Sequence, residues 1–258
     1  MLSIPVFRNK VSDEWITKCH EWKREYPIVR KENRIGNKYV DIYYLAELLG
    51  QEMRDDEIII PGVSGTGVEI FWHAFKLHGK QRMLNSGGLG GMGFGLPGAI
   101  GACIASGKRV ISIDGDGGFQ LNIQELSTVV NKKIPLIIFI LNNQGYASIR
   151  NMQNSRFEGN LVACDNSSGL FLPDIIKIAE AYGMKTYKLI NHDRIRENIK
   201  IILENNEPVL IDVNVDPNSQ AIPKVTSILL PDGSMKSKPL EDMWPFLDPD
   251  EIKRNTLN

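Results

Sequence analysis

Asp116 and Asn143 are the two side chains of this sequence whose types and spacing most directly suggest chemistry. Asp116 lies in Gly115-Asp116-Gly117-Gly118-Phe119, immediately after the apolar run Arg109-Val-Ile-Ser-Ile-Asp114. Asn143 follows Pro135-Leu-Ile-Ile-Phe-Ile-Leu141, within Asn142-Asn143-Gln144-Gly145. They are 27 residues apart, a separation that suits a strand-helix-strand crossover and so puts them on neighbouring parallel strand tips. A carboxylate and a carboxamide are hard oxygen donors, and beside a glycine-rich helix start they form a place to hold Mg²⁺ and a diphosphate together. Asp116 would bind as a monodentate carboxylate, Asn143 through its side-chain oxygen and Gly145 through its backbone carbonyl. Phosphate oxygens and water would complete the octahedron. Gly117 and Gly118 let backbone N–H groups approach a phosphate at the positive end of the following helix. The loop Val63–Gly67 adds the hydroxyls of Ser64 and Thr66. Taken singly, each motif reads as an ordinary turn. Their joint occurrence, each after a buried strand, carries the metal-diphosphate reading.

The elements that must position these loops follow from periodicity. Ser12-Asp13-Glu14 opens a helix that ends before Tyr26-Pro27, and Arg30–Asn37 has linker composition. Asp41 caps a helix carrying Leu45, Leu48 and Leu49. Glu57–Ile60 is a short buried strand, followed by a helix through Phe71, Trp72 and Phe75. A glycine-rich loop spans Asn85–Gly95, and a helix runs from near Pro97 to Gly107. Apolar residues at 119, 123, 126 and 130 predict one helix over Phe119–Val130. Helices near 172–182 and 193–204 alternate with strands near 185–190 and 208–215. Near-continuous Ile/Val/Leu strands alternating with helices predict an α/β fold: a doubly wound, mostly parallel sheet with helices on both faces. The expected organisation is a helical arm over 1–38, one domain over 39–222 and a C-terminal tail over 223–258. The tail carries a turn at Pro231-Asp-Gly-Ser234.

Composition excludes other classes. Among 258 residues, 30 basic and 31 acidic side chains leave a formal charge of −1, with no basic stripe for nucleic acid. No apolar run approaches the roughly 18–20 residues of a membrane span. The start of the chain shows no h-region or cleavage site, so a cytoplasmic protein is expected. Cys19, Cys103 and Cys164 lie far apart and read as reduced thiols. Cys164-Asp165 has no histidine partner in the sequence pattern that would make it a nucleophile. His20, His73, His78 and His192 form no cluster and read as surface or helix-end residues.

One motif competes. Gly88-Leu-Gly90-Gly-Met-Gly93 fits G-x-G-x-x-G, with Asp114 21 residues after Gly93. A dinucleotide site here would need a buried strand before it, and Gln81–Ser86 is a poor one. It would also leave Asp116 and Asn143 unused.

Together, Gly115-Asp116-Gly117 and the closing Asn142-Asn143 resemble the signature of thiamine-diphosphate (ThDP) enzymes. The segment Ser86-Gly-Gly-Leu-Gly-Gly-Met-Gly-Phe-Gly-Leu-Pro-Gly-Ala-Ile-Gly-Ala102 is similar to that of the acetolactate-synthase-like group. The resemblance covers about residues 40–245 and identifies the chain as the diphosphate-binding domain of such an enzyme. It implies that Asp116, Asn143 and the Gly145 carbonyl hold Mg²⁺, and that Ser64, Gly65 and Thr66 touch the diphosphate. It further implies that Gly90 and the Met92 backbone meet the aminopyrimidine while the Met92 side chain props the cofactor into a bent shape. Tyr146, on the Asn142–Tyr146 loop, joins Phe119, Ile149 and Met152 as candidates for an apolar wall over the reacting carbon.

The implied reaction is decarboxylation of a 2-oxo acid, pyruvate first, followed by transfer of the two-carbon unit or release of an aldehyde. The family takes a glutamate from a pyrimidine-binding domain that this chain lacks. Its first 35 residues resemble the connector after the middle domain. The expectation is therefore a homo- or hetero-oligomer with that domain, either as a split subunit or as part of a longer polypeptide. Met152 stands where biosynthetic acetolactate synthases carry tryptophan, which leaves the acceptor open. Two rivals remain: a catalytically silent regulatory or assembly subunit that keeps the fold, and a nucleotide-binding oxidoreductase.

Overall fold

The computed structural model describes residues 12–36, 38–62 and 65–255. Helix α1 (Asp13–Glu25) starts at Ser12, whose hydroxyl accepts the Trp15 N–H at 3.2 Å. Helix α2 (Ile42–Glu52) starts at Asp41, whose carboxylate accepts the Tyr44 N–H at 3.1 Å. There follow β1 (Ile58–Pro61), α3 (Thr66–Ala74), β2 (Arg82–Met83), α4 (Gly95–Ser106) and β3 (Val110–Gly115). Then come α5 (Asp116–Phe119), α6 (Leu126–Asn131), β4 (Leu136–Asn142), α7 (Ala147–Arg156) and α8 (Ile175–Ala181). The domain closes with β5 (Lys185–Leu189), α9 (Ile195–Leu203) and β6 (Val209–Asn214).

All six strands are parallel, in the order β2-β1-β3-β4-β6-β5. Alternation along the strands builds two cores, because successive side chains point to opposite faces. Ile59, Ile111, Ile113, Ile137, Phe139 and Ile211 pack with α2, α3 and α9. Ile58, Ile60, Val110, Leu136, Ile138 and Ile140 pack with α4, α6 and α8 on the other face. The fold is the doubly wound parallel sheet read from the sequence. Its winding reverses between β1 and β3, and at such a reversal the loops beyond the strand ends part to leave a crevice.

Three departures from the sequence reading matter. The helix expected over Phe119–Val130 is broken: α5 runs into a 3₁₀ segment, Gln120–Glu125, before α6 begins. Asn122 leaves helical geometry (φ −133°) and its side-chain amide donates to the Gly93 carbonyl at 2.8 Å. A tertiary bond to the glycine-rich loop thus outweighs helical periodicity. Helix α7, unrecognised in the sequence, carries little apolar patterning and is buried only at Ala147 and Arg150. Finally, β2 is a two-residue edge strand, which explains why its sequence reads poorly as a buried one.

Arm and tail meet each other. In the tail, β7 (Ser227–Leu229) pairs antiparallel with β8 (Met235–Ser237), and α10 (Pro249–Asn255) follows. Trp22 Nε1 donates to Asn255 Oδ1 at 2.8 Å and the Tyr26 hydroxyl donates to Glu251. His192 serves a helix end, as expected of a non-catalytic histidine. Its Nε2 accepts the Asp41 N–H at 2.9 Å while Nδ1 faces the Arg34 carbonyl, so the Nδ1-protonated neutral tautomer satisfies both. No helix among the described residues is long and apolar enough to cross a membrane.

Candidate functional site

The strand register places the chemistry. Gly115 pairs with Leu141 at the C-terminal ends of β3 and β4, so Asp116 and the Asn142–Tyr146 loop leave the sheet side by side. Asp116 is buried as the first residue of α5. One carboxylate oxygen accepts its neighbour's N–H, from Gly117, and the other accepts the Gly145 N–H, each at 2.9 Å. No basic side chain donates a hydrogen bond to it among the described residues. Burial accordingly pushes the Asp116 carboxyl up to about 7, against the lowering effect of those two amides.

Asn143 is 7% exposed, and its side-chain oxygen has no hydrogen-bond partner. A buried carboxamide oxygen with no donor is costly unless something outside the chain meets it. A hard divalent cation is such a group. The donor set fits Mg²⁺ with substrate oxygens rather than an all-protein cage.

Gly145 has φ +138°, and a Cβ there would lie 2.2 Å from the Cys164 carbonyl oxygen. Only glycine lets the loop press against Cys164–Asp165, an approach completed by the Tyr146 N–H donating to the Cys164 carbonyl at 2.8 Å. Gly117 is constrained by a side chain instead, since its Cβ would fall 2.4 Å from the Tyr146 ring. Tyr146 therefore roofs the glycine turn. Gly118 faces the Asp114 carboxylate instead.

Sequence reasoning missed Arg150. It is buried on α7, and one of its terminal nitrogens donates to the Asn143 carbonyl at 2.9 Å and to the Pro217 carbonyl at 2.6 Å. The other terminal nitrogen lies 3.6 Å from Asp165. Arg150 thereby clamps the Asn143 loop from beneath and lends Asp116 a weak favourable field. An arginine on a polar helix gives no sequence signal that separates it from a solvated one.

The other predicted residues are placed as follows. Ser64 lies outside the described residues. Gly65 (φ +105°) precedes α3 and Thr66 is its buried first residue. The Thr66 hydroxyl is 3.2 Å from Ser148 Oγ, which joins the β1 loop to α7. Gly90 (φ +59°) and Met92 lie in the exposed loop before α4, with Met92 40% exposed. Phe119 is not a wall residue: it is 1% exposed and part of the core under α4. Ile149 and Met152 are partly exposed on α7.

The dinucleotide alternative fails on geometry. Its glycine loop follows a two-residue edge strand, and Asp114 is walled in by Gly62, Gly95 and Gly118. A Cβ on Gly95 would lie 2.3 Å from the Asp114 carboxylate, so no ribose reaches that acid. Cys164 is buried against Ser168 with no histidine beside it.

Comparison with known proteins agrees with this geometry. Residues 64–213 match the family described as "Thiamine pyrophosphate enzyme, C-terminal TPP binding domain". A probable acetolactate synthase large subunit of Methanocaldococcus jannaschii is 35% identical over 222 residues, covering 84% of this chain and 36% of the relative. The mitochondrial acetolactate synthase catalytic subunit of Saccharomyces cerevisiae is 31% identical over 223 residues, covering 85% of this chain and 32% of the relative. Among solved structures, the thiamine diphosphate-dependent 4-hydroxybenzoylformate decarboxylase of Rhodococcus jostii RHA1 superposes with TM-score 0.61 at 29% identity. That superposition covers 71% of this chain and 34% of the decarboxylase. The chain thus spans about a third of the length of the relatives it matches. It belongs to the thiamine pyrophosphate enzymes, which it matches through their C-terminal cofactor-binding domain.

Proposed function

We propose that this chain is the Mg²⁺- and diphosphate-binding part of an acetolactate synthase-like enzyme that decarboxylates a 2-oxo acid, pyruvate in the first instance. The two-carbon unit is then passed to an acceptor or released as an aldehyde. ThDP, when bound, supplies the carbanionic carbon that bonds to the 2-oxo carbon and takes up the electron pair left by CO₂. The residues of this chain bind and orient. Asp116, Asn143 and the Gly145 carbonyl hold Mg²⁺. Gly65 and Thr66, with Ser64, and the amides of Gly117 and Gly118 receive the diphosphate. Gly90 and the Met92 backbone meet the aminopyrimidine, the Met92 side chain supports the bent cofactor, and Tyr146 closes the glycine turn.

The activating glutamate comes from a pyrimidine-binding domain docked over the crevice, as a separate subunit or another stretch of a longer polypeptide. Without that general acid/base the rate falls by about 10²–10⁴, so the chain alone is nearly inactive.

One observation carries this reading: the unpartnered, buried Asn143 oxygen follows the β4 tip that pairs with the β3 tip carrying Asp116, a buried carboxylate whose hydrogen bonds among the described residues all come from backbone amides. Titration calorimetry with ThDP, with and without Mg²⁺, tests it. Binding should require Mg²⁺, and Asp116→Ala or Asn143→Ala should each weaken it at least about tenfold. Metal-independent binding, or NADH binding in preference to ThDP, would refute the proposal. Pyruvate decarboxylation that appears on adding a pyrimidine-binding protein separates an enzyme from a silent subunit.

A further inference from the structure

Beyond the loops carrying Asp116 and Asn143, a cavity of about 870 Å³ lies between α7, the start of α3 and the tail. Its chemistry is uneven. Thr66 and Ser148 sit at the cofactor end, hydrogen-bonded at 3.2 Å. Asn151 is beside them, its amide reaching the Thr66 hydroxyl and donating to the Ser219 carbonyl. Farther along the same face of α7 come Met152, Ser155 and Arg156. From the tail, Lys224 projects into the cavity, oriented by Gln220 Oε1 at 2.9 Å and by the Trp244 ring 5.1 Å beneath it.

Arg156 and Lys224 therefore line one cavity from two elements, against a single acidic lining residue, Glu69 on α3. Lys224 is held in place by its neighbours, whereas exposed Arg156 makes no hydrogen bond or ion pair among the described residues. The decarboxylation itself does not call for these cations at this distance. A carboxylate that departs as CO₂ is destabilised, not retained, by its surroundings, so fixed positive charge serves an anion that persists. Eight residues separate Ser148 from Arg156, about 12 Å along a helix at 1.5 Å per residue. A three-carbon acid cannot span that length.

Resting on the function proposed above, we infer that this crevice takes an extended, hydroxylated acceptor whose far end is a phosphate or carboxylate held by Arg156 and Lys224. Its hydroxyls meet the amide and hydroxyl side chains between, and its other end lies toward the cofactor. Met152, partly exposed, lines the passage along α7. Arg156 supplies a forked donor and Lys224 a point charge, the usual pairing for an oxyanion.

The test is equilibrium binding to the full chain with ThDP and Mg²⁺ present, read by Trp fluorescence and by saturation-transfer NMR. The probes are glucose 6-phosphate, gluconate and uncharged glucose. Binding of either anion at least tenfold tighter than glucose supports the inference, and whichever binds more tightly tells phosphate from carboxylate. Arg156→Gln and Lys224→Gln should each weaken the anion at least fivefold, Arg156→Lys should restore part of the loss, and ThDP affinity should stay within twofold. Equal binding of glucose and both anions, or anion binding unchanged in both Gln variants, overturns it. A chain that fails to bind ThDP while still selecting the anion would refute the cofactor proposal and leave the cavity assignment standing.

Discussion

The Asp116 carboxylate accepts the Gly145 N–H at 2.9 Å, tying the tip of β3 to the tip of β4. That one bond joins the two loops whose oxygens are proposed to hold the metal. Asp116 is thereby held by backbone amides, with Arg150 supplying only a weak favourable field. The same relationship sets the response of the site to pH, to added side-chain volume and to loss of its supports.

In the metal-free chain, stability falls as pH rises. Burial pushes both Asp114 and Asp116 up to about 7, while an unfolded aspartate titrates near 3.9. Between about pH 4 and 7 the folded chain thus binds more protons than the unfolded chain, and stability drops as these protons are lost. Thermal melts from pH 5 to 8 should show Tm declining by several degrees. Asp116→Asn should flatten part of the slope, and Mg²⁺ with ThDP should flatten it further by compensating the ionised form. A Tm that climbs across this range contradicts the burial argument.

Three glycine substitutions should rank by geometry. Gly145→Ala combines φ +138° with a backbone oxygen 2.2 Å from the new Cβ, so it should cost about 3 kcal/mol or more. Gly117→Ala meets the edge of the Tyr146 ring, which has room to shift, and should cost about 1–3 kcal/mol. Gly91→Ala meets nothing within 4 Å and should be close to neutral. Urea unfolding at pH 7 measures all three, and an inverted order would mean that the loops are arranged differently.

Removing Arg150 should damage both fold and site. Arg150→Met leaves the Asn143 and Pro217 carbonyls without this donor and removes the cation beside Asp165, a loss of about 3 kcal/mol for a broken buried network. Loosening the Asn143 loop should also weaken Mg²⁺ by about 10–100-fold. Arg150→Lys should rescue poorly, because an ammonium cannot serve separated acceptors as a planar fork does. Chemical denaturation and Mg²⁺ titration report the two effects separately.

Met92 should behave in the opposite way. At 40% exposed it contributes little to the core, so Met92→Ala should leave Tm within about 1 °C. With the pyrimidine-binding partner present, the same change should lower kcat more than KM, because orientation of the cofactor is lost while substrate contacts persist. Unchanged kcat would remove Met92 from the site.

Much of this molecule could be read from its residues in order. Leu136–Leu141 is apolar along its length and Val110–Ile113 is apolar but for Ser112, as strands buried on both faces tend to be. Gly117 and Gly145 mark places where a backbone or ring approaches too closely for a Cβ, and glycine is the residue that records such a demand. The caps at Ser12 and Asp41 are local hydrogen bonds, visible within three residues.

What the sequence left undetermined depends on groups distant along the chain. The helix expected through Asn122 breaks because its amide reaches Gly93, 29 residues earlier. Arg150 and Phe119 have the composition of a solvated side chain and a possible pocket wall, yet one clamps the Asn143 loop and the other fills the core. Lys224 and Arg156 share a cavity only because the tail folds back across α7. Local propensity and periodicity determined which segments became strands, turns and caps. The parallel register of β3 and β4, and the packing around it, alone decided which of those residues became neighbours, because burial and long-range hydrogen bonding act on distances that spacing in a sequence does not encode.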